Sequence, residues 1–291
     1  MWSRGEKNMI SKMAKITIVG LGLLGGSYAK GFFNAGYHNV YGIDIDQEAI
    51  AFGKKYHWIK DGGSDPTLAS DSDIVISALY PHTFVEWVKE NQHLFKPGTV
   101  LTDVTGVKRE VIKEIKEILR EDIIFIPCHP MAGREYKGIQ YADASLFHSA
   151  NFIIIKEKNT NEKGLQTAYD IAKILSFKHI AELTAEEHDE MIGFLSQLTH
   201  VIAVSLMNAN DNSHLSEYTG DSFRDLTRIA KINEDLWPEL FSMNKDYLIH
   251  EIDQFVNEMN AFKGLLETDD FDGMKAKLVQ STQRRKVFDK K

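Results

Sequence analysis

The sequence predicts an α/β protein in which an N-terminal domain with a mostly parallel sheet precedes an all-helical C-terminal domain. Short apolar runs of strand character alternate with amphipathic helical patterns from Lys15 to about residue 183. Such alternation predicts a parallel sheet with helices on both faces. Beyond that point apolar residues recur at spacings of three and four, which is typical of helices. We therefore expect domains at 13–182 and 183–291, preceded by a polar, flexible tail at 1–12.

The individual elements follow from the apolar patterns. Six strands are expected, at residues 16–19, 40–44, 73–78, 99–103, 123–126 and 152–155. Helices are expected between most of them, for example at 22–34 and 107–119. Thr184, with Glu187 three residues later, has the pattern of a capping box and marks the start of a long helix.

Composition and charge disfavour several classes of protein. With 43% hydrophobic and 26% charged residues, the chain has the composition of a folded globular protein. Its net charge of -8 argues against a nucleic-acid or anionic-membrane surface. The single cysteine, Cys128, permits no disulfide within the chain and indicates a reducing, cytoplasmic location. We expect no secretory signal and no uncharged apolar stretch long enough to span a membrane.

A glycine-rich turn follows the first strand and opens the first helix. The glycines of Gly20-Leu21-Gly22-Leu23-Leu24-Gly25 permit a tight turn, close approach to a pyrophosphate, and close helix–strand packing. Asp44 ends the next strand, where a carboxylate accepts hydrogen bonds from a ribose 2′-hydroxyl. Together these features predict a Rossmann dinucleotide-binding domain. Its expected cofactor contacts are Gly20, Gly22, Leu23, Leu24, Gly25 and Asp44.

Asp44 also indicates which dinucleotide binds. Its charge would repel a 2′-phosphate, and the next residues, Ile45-Asp46-Gln47, include no cation to neutralise one. We therefore expect NAD rather than NADP.

Two further segments leave strands at the carboxyl edge of the predicted sheet, where open α/β sheets bind ligands. Residues 102–108 run from a strand into a helix, and residues 128–133 follow the next strand. His129 stands between that strand end and Pro130, so its backbone is held rigidly. Its imidazole is a candidate for acid–base chemistry.

The helical part has two more candidate groups. Ser196 and His200 are four residues apart and share one helix face, a pattern that also fits a buried structural histidine. Asp225 and Arg228 are three apart, which also fits an ion pair on a helix surface. Residues 186–189 lack metal-ligand spacing, and we expect a solvated first helical turn there and no metal site.

Together these segments resemble the prephenate dehydrogenase family, which includes arogenate and cyclohexadienyl dehydrogenases. The most specific pieces are residues 129–133, residues 196–200, and residues 223–230 with Trp237 downstream. The resemblance implies a Rossmann domain followed by a helical dimerisation domain, and hence a homodimer. It also implies NAD-dependent oxidative decarboxylation of prephenate to 4-hydroxyphenylpyruvate in tyrosine biosynthesis, or the corresponding reaction of arogenate.

The resemblance also implies roles for individual residues. His129 matches the family's catalytic histidine, which accepts the proton of the substrate hydroxyl as hydride leaves. Arg228 matches the arginine that holds a substrate carboxylate, since a guanidinium can grip it with two hydrogen bonds. The other expected substrate-binding positions are Ser196, His200, Asp225 and Trp237, with Asp225 orienting Arg228.

Two positions depart from the family pattern. The family often has a serine, aligned to contact the catalytic histidine and the nicotinamide, where this chain has Gly106. Either the neighbouring Thr105 supplies that hydroxyl as a catalytic residue, or the contact is absent. The residue after the 129–133 segment is often threonine and is Arg134 here. Arg134 either adds a second cation for a substrate carboxylate or faces water.

Two other functions stay open. A β-hydroxyacid dehydrogenase or imine reductase also joins a Rossmann domain to helices. Those families commonly rely on a lysine of the helical domain, and no lysine in an equivalent glycine-asparagine context is found in this sequence. A non-catalytic NAD-responsive protein would keep the glycine loop and Asp44 with no need for His129 and Arg228. Within the resembling family, the sequence does not decide between prephenate and arogenate.

Overall fold

The structure is a computed structural model that describes residues 10–134 and 136–288. The chain packs as two compact units, which divide between Asn244 and Lys245. The first unit holds two β-sheets with their covering helices and a group of shorter helices. The second is a pair of helices.

The larger sheet has six parallel strands: β1 (Ile16–Val19), β2 (Val40–Ile43), β3 (Asp61–Gly63), β4 (Ile74–Ser77), β5 (Val100–Asp103) and β6 (Ile124–Ile126). Their order is β3-β2-β1-β4-β5-β6. The order reverses between β1 and β4, and ligands of open α/β sheets bind in the crevice at such a point. The predicted parallel sheet is confirmed, although β3 was not predicted because Asp-Gly-Gly has no apolar pattern.

A second sheet has three strands. β7 (Cys128–Pro130) pairs antiparallel with β8 (Asn151–Ile155), and β8 pairs parallel with β9 (His179–Leu183). His129 lies opposite Ile153 in this ladder. The candidate base is therefore carried by a hydrogen-bonded strand, whereas only a rigid backbone after a strand was expected there.

Five helices cover the larger sheet: α1 (Leu23–Asn34), α2 (Gln47–Lys55), α3 (Pro81–Asn91), α4 (Arg109–Ile118) and α5 (Glu162–Ile174). Successive strand residues point to opposite faces, so Ile74 and Ile76 join one apolar cluster while Val75 joins another. Tyr28 and Phe32 of α1 complete the first cluster, and α3 and α4 complete the second.

Every described element after Leu183 is helical. In the first unit these are α6 (Ala185–Ile192), a π-helical turn (Gly193–Leu198), α7 (Thr199–Asn208), α8 (Leu215–Tyr218), α9 (Asp221–Thr227), a 3₁₀ turn (Arg228–Ala230) and α10 (Leu236–Met243). The predicted capping box is confirmed: Glu187 N–H donates to the Thr184 hydroxyl at 3.2 Å, and Thr184 N–H donates to the Glu187 carboxylate at 2.8 Å.

The second unit is a helical hairpin of α11 (Lys245–Glu267) and α12 (Phe271–Arg285), followed by a short turn at Lys286–Phe288. Asp270 caps α12 by accepting the N–H of Gly273 at 2.9 Å. Lys277 of α12 pairs with Glu258 of α11 at 2.6 Å. The hairpin exposes large apolar side chains, among them Ile249, Val256, Met259, Leu266, Phe271 and Leu278.

One helical stretch corrects the sequence analysis. Ala185–Asn208 is long and apolar enough, by length and composition alone, to cross a membrane, and 28% of its most apolar window is buried in the structure. No such stretch was expected, but residues 191–208 contain no Asp, Glu, Lys or Arg. The side chains of Phe194, Leu195 and Met207 on this stretch are exposed.

The expected N-terminal tail is shorter than predicted. Residues 1–9 lie outside the described residues. Ile10 is buried, its N–H donates to Asp170 at 3.0 Å, and its carbonyl accepts from the Tyr37 hydroxyl at 3.1 Å. The prediction of a loose tail to residue 12 is therefore wrong at residue 10, because an apolar side chain and two backbone hydrogen bonds dock the chain there.

The glycine loop supplies a paired stability prediction. A side-chain carbon added at Gly25 would lie 1.8 Å from the carbonyl oxygen of Gly20, whereas one added at Gly22 has nothing within 4 Å. We expect Gly25→Ala to lower the free energy of unfolding of the ligand-free protein by about 1–3 kcal/mol through overpacking. Gly22→Ala should change it by less than about 0.5 kcal/mol. Thermal unfolding of both variants tests this, and equal melting temperatures would contradict the loop geometry.

Candidate active site

The glycine loop lies at the carboxyl end of β1. Gly20 has a φ of 89°, a left-handed conformation that favours glycine. Gly22 is the N-cap residue of α1 and offers no side chain, so the amides of the first turn, at Leu23 and Leu24, are available to an anion such as a pyrophosphate. Gly25 lies against Gly20 and lets the helix approach the strand.

Asp44 follows β2 and is half-buried beside this loop. Its carboxylate accepts the N–H of Leu21 at 2.5 Å and the N–H of Asp46 at 2.8 Å. Asp44 therefore supports the glycine loop and still presents a partly exposed carboxylate. This arrangement suits recognition of the two hydroxyls of a ribose.

A chain of hydrogen bonds ends at His129. Nδ1 of His129 lies 2.8 Å from Nε2 of His188, and Nδ1 of His188 lies 2.7 Å from Oδ1 of Asp189. Asp189 is fully buried and also accepts the backbone N–H groups of Lys108 and Arg109, each at 2.8 Å. These hydrogen bonds from N–H groups stabilise the ionised carboxylate.

The hydrogen bonds from Asp189 through His188 determine which nitrogen of His129 can accept a proton. Because ionised Asp189 can only accept, the proton of neutral His188 is on Nδ1 and its Nε2 is an acceptor. His129 must then donate from Nδ1, which leaves the lone pair on its Nε2. That nitrogen lies next to Gly106, where an added side-chain carbon would be 3.9 Å away. The half-buried ring thus presents an unprotonated nitrogen at the loop that follows β5.

Burial and nearby charge keep both imidazoles neutral. Burial lowers the pKa of His129 well below its usual 6.5, and His188 and the Lys108 ammonium lower it further. Burial also lowers the pKa of His188, although its hydrogen bond to Asp189 opposes the change. A neutral imidazole at neutral pH is the form that acts as a general base.

A fully buried ion pair binds Cys128, the residue that precedes His129 in the chain. Nζ of Lys108 lies 2.6 Å from Oδ2 of Asp103. The ammonium also donates to the carbonyl oxygen of Cys128 at 2.5 Å, and Asp103 accepts the N–H of Cys128 at 3.2 Å. Both backbone polar groups of the residue before His129 are therefore held by this pair.

Thr105 belongs to the same buried network. Its hydroxyl contacts the Asp103 carboxylate, lies 3.0 Å from the carbonyl oxygen of Val107, and lies 3.1 Å from Nζ of Lys108. With these partners inside the protein, the hydroxyl supports the loop that contains Gly106. A catalytic role for Thr105 stays a prediction.

His200 and Trp237 lie together in the helical part. Their ring centroids are 3.8 Å apart, and Nδ1 of His200 donates to the carbonyl oxygen of Ser196 at 2.8 Å. Leu240, one turn beyond Trp237 on α10, would be 3.6 Å from a side-chain carbon at Gly106. One helix therefore connects the Trp237–His200 stack to the loop beside His129.

Arg228 begins the 3₁₀ turn after α9, and its side chain is exposed, as is that of Asp225. Both α9 and this turn pack against α7, which carries His200. Arg228 and His200 are thus on neighbouring elements. That Arg228 and His129 converge on one substrate stays a prediction.

Arg134 is partly exposed and lies 3.6 Å from the carboxylate of Asp143. Asp143 also lies 3.5 Å from Nζ of Lys30. Arg134 thus forms an ion pair at the surface, and a contact with a substrate carboxylate stays a prediction.

Known family models cover most of this chain. The model described as the nucleotide-binding domain of prephenate dehydrogenase matches residues 29–180, over half of the chain. The model described as its dimerization domain matches residues 184–280. The chain belongs to the prephenate dehydrogenase family.

Individual relatives agree. The prephenate dehydrogenase of Bacillus subtilis is 26% identical over 267 residues, which are 89% of this chain and 72% of that protein. The cyclohexadienyl dehydrogenase of Zymomonas mobilis is 24% identical over 287 residues, 93% and 94% of the two chains. A crystal structure of the Aquifex aeolicus prephenate dehydrogenase in complex with hydroxyphenyl propionate and NAD+ has a TM-score of 0.88 at 27% identity, and covers 97% of this chain and 100% of that one.

Four buried residues of this prephenate dehydrogenase family site, Asp103, Lys108, His188 and Asp189, were not among the predicted site residues, although Asp103 and Lys108 lie in the segment 102–108 that was expected at the ligand-binding edge. Residues 186–189 were expected to form a solvated turn, which is correct for the exposed Glu186 and Glu187 but wrong for the other two. A signal was available, because Ala185, His188, Asp189 and Ile192 have the spacing of one helix face and all four are buried. Two apolar residues on that face indicated that it packs inward.

The position of Asp44 predicts how the family member selects its cofactor. Asp44→Asn keeps the shape but removes the charge, so we expect NAD affinity to fall about tenfold, as for loss of a hydrogen bond to a charged acceptor. The preference for NAD over NADP should narrow. Fluorescence titration measures both, with Asp46→Asn, at the exposed N-cap of α2, as the matched control. Unchanged NAD affinity in Asp44→Asn would contradict the assignment.

Proposed function

We propose that this chain is an NAD-dependent prephenate dehydrogenase. It oxidises the C4 hydroxyl of prephenate with loss of the ring carboxylate as carbon dioxide, and gives 4-hydroxyphenylpyruvate for tyrosine biosynthesis. The observation that carries the proposal is the set of hydrogen bonds from Asp189 through His188 to Nδ1 of His129, which leaves Nε2 of His129 next to the loop that follows β5. Membership of the family and the glycine loop support it.

His129 acts as the general base in this proposal. Its Nε2 accepts the proton of the C4 hydroxyl, and the charge that develops on the ring is stabilised through His188 by ionised Asp189. NAD, held by the loop from Gly20 to Gly25 and by Asp44, supplies the hydride acceptor when it is bound. Aromatisation of the ring that loses carbon dioxide makes the reaction effectively irreversible.

Substrate binding is assigned to the helical part. The guanidinium of Arg228 suits a carboxylate, and Asp225 is given the role of orienting it. His200, supported by Ser196 and stacked on Trp237, forms the other wall. Arg134 is a peripheral contact at most in this scheme, because Asp143 offsets its charge.

Arogenate is the second candidate substrate. It differs from prephenate by an amino group in place of the side-chain keto group, and the Zymomonas relative with nearly full coverage is a cyclohexadienyl dehydrogenase. Turnover of both substrates, measured side by side, separates the two. A higher kcat/KM with arogenate would reassign the substrate and leave the role of His129 intact.

We further propose that residues 13–182 form the NAD-binding domain and that the protein forms a homodimer through residues 183–291. The dimerization-domain match and the exposed Phe194, Leu195 and Met207 support this. The apolar stretch Ala185–Asn208 is then covered by a partner subunit rather than by lipid, in a cytoplasmic enzyme. Light scattering of the purified protein tests the dimer, and a monomer at micromolar concentration would contradict it.

His129→Asn tests the catalytic role. Formation of reduced nicotinamide from NAD and prephenate is followed by its absorbance, and kcat should fall about 10²- to 10⁴-fold because a general base is lost. The KM for prephenate and the affinity for NAD should change little. His148→Asn, at an exposed position, is the matched control. No turnover by the unaltered protein with either substrate, despite NAD binding, would refute the proposed function.

Arg228→Gln tests the substrate carboxylate contact. We expect KM for prephenate to rise about 10- to 100-fold, as for loss of hydrogen bonds from a charged donor, with a smaller effect on kcat. Arg224→Gln, on the preceding turn and paired with Asp221 at 3.3 Å, is the control and should keep the KM of the unaltered protein. Equal KM values in the two variants would remove Arg228 from the site.

A further inference from the structure

We propose that the buried pair of Lys108 and Asp103 is a positioning device for His129 and not only an ion pair of the fold. The inference deepens the proposed function and rests on it for the role of His129 as base. Nothing in the family comparison assigns a task to these two residues.

The ammonium of Lys108 is fully paired inside the protein. It has three donors, and three acceptors surround it: Asp103 at 2.6 Å, the Cys128 carbonyl at 2.5 Å and the Thr105 hydroxyl at 3.1 Å. Lys108 and Asp103 are both fully buried. Removing two charges from water is unfavourable, and apolar side chains of similar volume often stabilise a fold as well or better. The fold alone therefore does not require these charges.

The Lys108–Asp103 pair positions His129 through the backbone of Cys128. Cys128 immediately precedes His129. Its backbone N–H donates to Asp103, and its carbonyl oxygen accepts from the Lys108 ammonium. Asp103 ends β5, and Lys108 ends the loop that contains Gly106. The pair thus ties the start of β7 to the β5 loop. It fixes the distance between the His129 ring and the space beside Gly106 where a substrate hydroxyl would lie.

Lys108 also acts on the charge of the imidazoles. Its ammonium contributes to the lowered pKa of both His129 and His188, for which burial is the largest cause. The other titratable groups near the two rings are Asp103 and Asp189, the latter with its partner Arg109.

The pKa of His129 sets the pH at which activity is lost on the acid side. A base with a lowered pKa stays unprotonated, and therefore active, until the pH falls below that pKa. For this protein the acid limb of kcat/KM should lie below pH 6.5, the usual value for histidine. If the Lys108 charge is removed, the pKa of His129 rises, and the limb should move to higher pH.

The decisive variant is the double substitution Asp103→Asn with Lys108→Met. It removes both charges, keeps the volumes similar, and leaves an amide oxygen to accept the Cys128 N–H, so no unpaired buried charge remains. We expect kcat to fall about tenfold or more and the acid limb of kcat/KM to move to higher pH, because the Lys108 charge lowers the pKa of His129. NAD affinity and the KM for prephenate should stay within about twofold.

A merely structural pair gives a different result. In that case the double variant changes the melting temperature while kcat and the pH profile match those of the unaltered protein, and this outcome would overturn the proposal. The control is Lys54→Met with Asp61→Asn, an exposed pair at 2.7 Å, which should leave the pH profile unchanged.

Two further measurements keep the test decisive. If the double variant does not fold, Thr105→Val replaces it, since it removes one acceptor of the ammonium. We expect about a fivefold lower kcat with unchanged KM, and an unchanged kcat would refute the proposal. If the unaltered protein has no turnover, the proposed function fails on its own. Nitrogen-15 NMR titrations of His129, in the ligand-free unaltered protein and in whichever of these variants folds, then test the role of Lys108. Equal pKa values of His129 in the two proteins would refute that role.

Discussion

The hydrogen-bonded chain from Asp189 through His188 to His129 is the constraint on which the rest of this site depends. Asp189 lies on α6, at the start of the helical part, yet it accepts the backbone N–H groups that open α4 in the α/β part. One buried carboxylate therefore joins the two parts of the family fold and sets the protonation pattern of the base. A base formed by His129 alone would have neither a fixed tautomer nor a fixed ring orientation.

The charges buried around His129 occur in compensated sets. Asp103 is paired with Lys108, and Asp189 is bound by His188, by two backbone N–H groups and by Arg109, whose Nε lies 3.5 Å away. The environment of the imidazole is thus highly polar and yet not strongly charged overall. Such a site can hold a neutral base in the interior, and it leaves attraction of the acidic substrate to a more exposed cation such as Arg228.

The sequence allowed the fold and part of the site to be predicted. Apolar runs indicated the main strands, and the glycine loop with Asp44 is a local motif whose spacing alone predicts dinucleotide binding. His129 was found from its position after a strand. The burial of His188 could have been predicted from its helix face, but its hydrogen bond to His129 could not, because no local pattern reports a contact between residues far apart in the chain. The hydrogen bonds of Thr105 could not be predicted, because the direction of its hydroxyl is set by Asp103 and Lys108 in the interior.

The hydrogen bonds from Asp189 through His188 place the lone pair of His129 on Nε2. Nitrogen-15 NMR of the histidine side chains at neutral pH reports the tautomer directly. We expect His129 and His188 both to be neutral and protonated at Nδ1 only. A spectrum in which His129 carries its proton on Nε2, or is doubly protonated at pH 7, would contradict the account.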